Sequence, residues 1–359
     1  MAEARMATPA SAFNPSIGPL RMQVDRSRTQ ISGENSRDKV FQDCDFSGCV
    51  FVDCRFEGCS FLECRLGGAE FRNCTVLNTG FTQCALKQVR FTAGTLAGCS
   101  LVDCDCTGLT FSSTLLEKSQ FVKCDLTTAQ ISGKTLAKIG FTRCNFNALA
   151  FDTVTFTSCA FLETDLAPWQ LVGCSFRQCL FLNAVLTAQD FSGLCLHTCN
   201  FQGGKLSGCD FSGCDLTHSS FSEASLQDCR FDGAKLGSAL FFRAQLERCT
   251  LRKACLDTGN FARANLRDCD ISATTALQSY WEKATATHSS FAGIALDYAN
   301  LAHARFEDCD FSNSDFGHAD IHAIEFKNCK LKSAALADVR GTDKKRQDAE
   351  RTVSARNLL

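Results

Sequence analysis

The chain has 359 residues, 45% of them hydrophobic, with 24 Gly and only 4 Pro, a composition that can build a core and excludes collagen-like and low-complexity chains. Its 37 basic and 39 acidic side chains leave a formal charge of −2, which excludes a nucleic-acid binder acting through the phosphate backbone. No run reaches the ~18 apolar residues of a membrane span, and the opening MAEARMATPASAFNPSIGPL lacks the apolar stretch of a secretory signal, so the expectation is a soluble, cytoplasmic protein.

Residues 1–38 show no repeat, contain Pro9, Pro15 and Pro19, and read as a flexible tail, with Ile31 and Val40 placed to close the first turn of the repeat region. An uncleaved signal for a specialised secretion route is the sharper reading of the same tail. From Phe41 a large apolar residue returns at every fifth position, through Phe46, Phe51, Phe56, Phe61, Leu66 and Phe71 to Phe326, Leu331 and Leu336, giving sixty pentads in one phase. Five is neither the helical nor the strand period. Two places before each large residue stands a small one, and 22 of the 25 cysteines fall there, all but Cys106, Cys195 and Cys255. A small inward residue followed two later by a large one fits a chain that turns a quarter circle every five residues.

The runs Cys44-Asp45-Phe46-Ser47-Gly48, Cys209-Asp210-Phe211-Ser212-Gly213, Ala264-Asn265-Leu266-Arg267-Asp268 and Cys309-Asp310-Phe311-Ser312-Asn313 resemble the A(D/N)LXX unit of the pentapeptide-repeat family, and the resemblance covers residues 39–338. It implies an all-β fold, a right-handed quadrilateral parallel β-helix. Four pentads per coil give about 15 coils and, at ~4.8 Å per coil, a rod of roughly 70 Å. Phe181, Phe201, Phe221 and Phe241, each 20 apart, should stack along the axis, as should Cys44, Cys64, Cys84, Cys104, Cys124 and Cys144. A zinc site from Cys44, Cys49, Cys54 and Cys59 would need four sulfurs within ~2.3 Å of one point, whereas these come from four sides of a Phe-filled coil. Buried thiols as small core fillers in a reducing compartment are the expectation.

The repeat falters at residues 272–290, where Ala276, Trp281 and Ala286 replace the usual plug. Two readings stand: a loop that presents Tyr280, Trp281 and Glu282 to a partner, or an indole that fills the core in place of Phe. Trp169 also stands where a small residue is expected, as do Lys134, Ile139, Gln189 and Leu194. Residues 339–359 change character, with Thr342 or Asp343 placed to start a short capping helix. In some members of the family that the chain resembles such a helix makes a dimer contact, and Val353, Leu358 and Leu359 could supply one here.

No GxGxxG, P-loop, GxSxG or HExxH motif is present, and of the six histidines only His318 and His322 lie close in sequence, on outward positions around a corner. Neither catalysis, a cofactor, a metal, a nucleic acid nor a membrane partner is therefore expected. Some pentapeptide-repeat proteins resemble duplex DNA in shape and charge and protect type II topoisomerases such as gyrase from inhibitors. Residues 39–338 hold 32 acidic and 26 basic residues, a thin charge beside the one per ~1.7 Å of duplex DNA. A protein-interaction scaffold or adaptor fits better; the family resemblance extends to accessory or effector parts of bacterial specialised secretion systems, type VI included.

Overall fold

The computed structural model describes residues 24–356 except 133–134, 153, 168 and 170–173. They form a four-sided parallel β-solenoid in which each residue pairs with the one twenty positions on, Phe51 with Phe71, Leu206 with Leu226, Asp310 with Lys330. Three faces begin as sheets at Gln30–Ser32, Asn35–Arg37 and Val40–Gln42 and keep three-residue strands as far as Ala150–Asp152, Ser175–Arg177 and Ala160–Leu162. The fourth face is a line of single bridges from Asp25 to Asp165, and then becomes the sheet from Val185–Thr187 to Glu325–Lys327 while the other three relax to bridges.

An Asp at the first residue of an outward triplet goes with a turn: its side chain accepts the N–H two residues on, as at Asp45–Ser47 (2.9 Å), Asp210–Ser212 (2.8 Å) and Asp310–Ser312 (2.9 Å), which tightens the corner, whereas Asn35 and Asn265 begin strands. Turns also begin at Arg65, Ala85, Ser220 and Thr250, which lie in the same columns as turn-forming Asp or Asn residues, so such a first residue favours a turn without being required for it. The corners have a requirement of their own. Every described residue whose number ends in 3 or 8, from Arg28 to Asp338, has a left-handed backbone, glycine or not. Gly213 (φ 66°) has nothing within 4 Å of where a Cβ would stand. Gly213→Ala should therefore cost only the conformational penalty, about 1 kcal/mol, read as a small fall in the chemical-denaturation midpoint.

Inside, the two expected classes line the core. Phe181, Phe201, Phe221 and Phe241 stack at 4.8, 4.9 and 5.0 Å with rings within 13° of parallel. The small position does more than save space. Each coil leaves backbone carbonyls there, and the thiol of Cys84 donates to the carbonyl of Phe61 (3.3 Å) and that of Thr82 (3.4 Å). Thr79 and Ser219 do the same with hydroxyls, to Leu77 (2.9 Å) and Leu196 (2.7 Å). Cysteine is thus a small residue that also satisfies a buried acceptor. Gly94 shows how tight the position can be: a Cβ there would lie 2.1 Å from the carbonyl oxygen of Cys74 and 2.7 Å from its nitrogen.

Three expectations need correction. Residues 24–38 are not tail: Gln30–Ser32 and Asn35–Arg37 are strands of the first coil. The apolar phase stops short of them because this is the last coil at that end among the described residues. Its inward positions hold Arg26, Glu34, Ser36 and Lys39, and Glu34 takes Ser36 Oγ (2.9 Å) and Lys39 Nζ (3.4 Å). This polar layer lies with Val24 and Ile31 over a small cavity floored by Phe41, Phe46, Phe51 and Phe56. Residues 1–23, the rest of the expected tail, lie outside the described residues. Second, 272–290 is no loop; the coil continues through it in register, Thr285 pairing with Asn265 and Arg305. Third, the helix α1 (Lys344–Arg356) lies against the flank of the last coils and does not roof them, so Leu331 and Leu336 stay exposed at the end of the solenoid.

Candidate functional site

Trp281 was a candidate contact and is buried, 1% exposed. Its ring stacks on Phe261 at 4.2 Å and 6°, and its Nε1–H donates to Ser279 Oγ at 2.8 Å. Ser279 in turn donates to the carbonyl of Ala276. The flanking plugs of the same coil are Ala276 and Ala286, both buried, so two undersized side chains make room for one oversized ring. Trp169 is buried likewise among Phe146, Phe151, Phe156, Phe161 and Phe176, with centroids 5.0 to 6.1 Å away, though its Nε1 has no partner among the described residues. Gln189 fits a small position by donating to the carbonyls of Ala167 (3.1 Å) and Thr187 (3.2 Å), Ile139 is buried there, Leu194 is partly buried, and Lys134 lies outside the described residues.

Tyr280, by contrast, is 52% exposed, and Glu282 is half-buried beside Lys283. Around the same corner stand exposed Leu277, Tyr298 and, two coils below Tyr280 through the bridge to Asn260, Leu240. Tyr298 stacks on His318 at 4.5 Å, and His318 Nδ1 meets Asp297 Oδ1 at 3.1 Å. The corner residues' backbones are held in the ladder, so this apolar surface is rigid. Elsewhere several opposite charges pair between neighbouring coils: Arg37 with Glu57 (3.0 Å), Arg90 with Glu70 (3.0 Å), Arg143 with Glu163 (2.6 Å) and Arg248 with Asp228 (2.7 Å).

The histidines part company. His318 is on the surface with Tyr298, while His322 is buried under α1 beside His303 and Glu350, and the ligand-type atoms of these last three lie within 4.8 Å of one another. Glu350 Oε2 is 3.0 Å from His303 Nε2 and 3.4 Å from His322 Nε2. Partial burial works against the Glu350 charge, but Arg346 and the two imidazoles outweigh it and hold the carboxyl below its ordinary range. A metal on His322 Nε2 would require the proton on Nδ1. Nδ1 instead accepts the N–H of Asp343 at 3.2 Å, so the proton sits on Nε2, facing Glu350, and the trio is a hydrogen-bonded contact. The repeat itself sets His303 beside His322 in the next coil, the His303 N–H donating to the His322 carbonyl at 2.8 Å, but spacing could not add Glu350, which only the fold-back of α1 brings in. Of the expected dimer contacts, Val353 lies within α1, and Leu358 and Leu359 lie outside the described residues.

Burial pushes the thiols of Cys74, Cys99 and Cys309 up to about 11 and those of Cys199 and Cys214 to about 12, which keeps them protonated and inert. Only Cys195 is exposed, with Cys255 and Cys329 intermediate. A thiol reagent on the native protein should label these three at most, and the remaining 22 only after unfolding; rapid native labelling of more would show that the core thiols are accessible.

Among the described residues no helix is long and apolar enough to cross a membrane. In sequence, the family description "Pentapeptide repeat region" matches residues 37–98 and 77–151, and "Pentapeptide repeats (8 copies)" matches 170–208, 205–241 and 289–332. No curated protein matches the chain. Among solved structures, similarity extends to QnrB1, a plasmid-mediated fluoroquinolone resistance protein, at 16% identity over 49% of this chain and 89% of that one with a TM-score of 0.29. A pentapeptide-repeat protein of the Arabidopsis thaliana thylakoid lumen matches at 28% identity over 34% and 69%, TM-score 0.21. HetL, involved in heterocyst differentiation regulation in a Nostoc cyanobacterium, matches at 17% over 87% and 91%, TM-score 0.14.

Proposed function

The chain belongs to the pentapeptide-repeat family, and from that premise we propose that it is a non-enzymatic scaffold that holds a protein partner against the corner of Leu240, Leu277, Tyr280 and Tyr298. The observation that carries this reading is the grouping of four of the exposed large apolar side chains, two of them aromatic, along one rigid corner, whereas Leu115 stands elsewhere and Leu331 and Leu336 lie at the end of the solenoid. Glu282 adds a carboxylate at the rim. The DNA-like alternative draws little support from a near-neutral rod on which acidic groups such as Glu57, Glu70, Glu163 and Asp228 are paired with arginine one coil away.

The test is photo-crosslinking from position 280 in the native host, compared with a Tyr280→Ala/Tyr298→Ala protein. Both side chains are more than half exposed, so stability should shift by no more than ~0.5 kcal/mol each. A partner captured by the native chain and lost from the double variant supports the reading; one retained by the variant sinks this site. Topoisomerase subunits among the captured proteins would favour the DNA-like alternative, and secretion-apparatus proteins the finer proposal of a secretion-associated adaptor. The buried free thiols support a reducing, cytoplasmic setting for this work. Exposed Leu331 and Leu336 support self-association through the C-terminal end, which light scattering on Leu336→Asp would check.

A further inference from the structure

Helix α1 is fastened to the solenoid at two polar points. At its start, Asp343 Oδ1 accepts the N–H groups of Lys345 (2.8 Å) and Arg346 (3.3 Å), Thr342 Oγ1 accepts that of Ala323 (3.2 Å), and the N–H of Asp343 donates to His322 Nδ1 (3.2 Å). Further along, Glu350 takes His303 and His322 on one oxygen and Arg346 Nε on the other (3.0 Å), while Arg346 also reaches Asp320 (3.4 Å). The sequence KKRQDAERTVSAR offers little apolar surface to bury. Thirteen residues are marginal as an isolated helix, and Lys344, Lys345 and Arg346 in a first turn without an acidic residue oppose the helix dipole. The docked state depends on the polar fastenings.

His322 sits at the centre of both. A backbone N–H can only donate, so Nδ1 is unprotonated and Nε2 carries the proton. Any second proton must enter at Nδ1, where it meets the N–H of Asp343, donor against donor, at a side chain 1% exposed. The groups that face this imidazole are Glu350 and Arg346 from α1, Asp320 and His303 from the solenoid, and Glu282 beyond His303. The carboxylates welcome the added charge and Arg346 opposes it, but none replaces the lost acceptor for Asp343.

We propose that α1 is a detachable strap and that protonation of His322 at Nδ1 releases it. Release breaks the contact that anchors the start of the helix and uncovers Ala302 and His322, buried outward-facing residues on the same face as Glu282 and Phe242. This inference stands independently of the scaffold reading.

Hydrogen–deuterium exchange on the full chain at pH 7.5 and 5.5, corrected for intrinsic exchange, tests it. Protection of the amides from Gln347 to Arg351 should fall severalfold, up to about tenfold, at the lower pH, as linkage to a single imidazole allows, while the sheet from Lys205 to Arg267 keeps its own. In His322→Gln, which cannot gain the proton, the difference between the two pH values should vanish. In His303→Gln, which leaves His322 and Asp343 in place, it should persist. Equal protection of native α1 at both pH values, a fall that survives in His322→Gln, or its loss in His303→Gln would each overturn the proposal. So would a zinc-dependent gain in α1 protection at pH 7.5, because it would make the imidazole pair a metal site.

Discussion

Trp281→Ala should lower the unfolding free energy by about 3–5 kcal/mol, as for other large aromatic deletions from cores. The ring is 1% exposed and stacked on Phe261 at 4.2 Å. What makes the site unforgiving is its surroundings. Ala276 and Ala286, the flanking plugs of the coil, are already small, so no neighbouring side chain can swing into the void, and the coils above and below are pinned by the backbone ladder. Trp281→Phe should cost less, since it keeps the stack on Phe261 and Ser279 still donates to Ala276. Urea denaturation of the two variants checks both. A change within ~0.5 kcal/mol for alanine would place the indole outside the core.

The second large effect is expected at Phe211, again about 3–5 kcal/mol on replacement by alanine. Phe211 stacks on Phe191 and Phe231 at 4.9 Å and meets Phe201 and Phe221 edge-on at 5.7 and 5.6 Å. Because stacked repeats gain stability from nearest neighbours, Phe191→Ala and Phe211→Ala should not add. Once one ring is gone its partner has already lost a stacking face, and the double variant should fall short of the sum by roughly 0.5–1.5 kcal/mol. Strict additivity would mean that adjacent coils unfold without feeling each other's rings. A broadened or two-step transition in the double variant would mark the coil at which the solenoid comes apart.

The core was legible from residue spacing because a solenoid's contacts lie at a constant offset. Once the chain turns every five residues, Phe181 must meet Phe201 and Cys64 must follow Cys44. The compensation around Trp281 was also open to reading, since Ala276 and Ala286 sit five residues to either side, yet a weakened repeat looks the same whether a chain bulges or repacks. The Asp residues that begin certain triplets carried an unread signal for turns, though other turns begin without one. Positions that must be left-handed at each corner, by contrast, hold Lys, Arg, Ala, Ser and Tyr as well as Gly, so composition did not announce them.

The two ends were least legible. At the first described coil polar residues take inward positions because, among the described residues, no coil packs on its outer side, and a pattern built on apolar plugs mistakes this for tail. At the other end α1 contains few apolar residues, so its sequence says that a helix forms but not where it docks. Local spacing by itself determined the coil, its core and the alternation of large and small inward residues, since each depends on neighbours at a fixed separation. Only the tertiary structure decided that Trp281 points inward while Tyr280 points out, that Leu240 and Tyr298 join one surface, and that Glu350 lies between His303 and His322, because each of these depends on where coil faces and a folded-back helix come to rest.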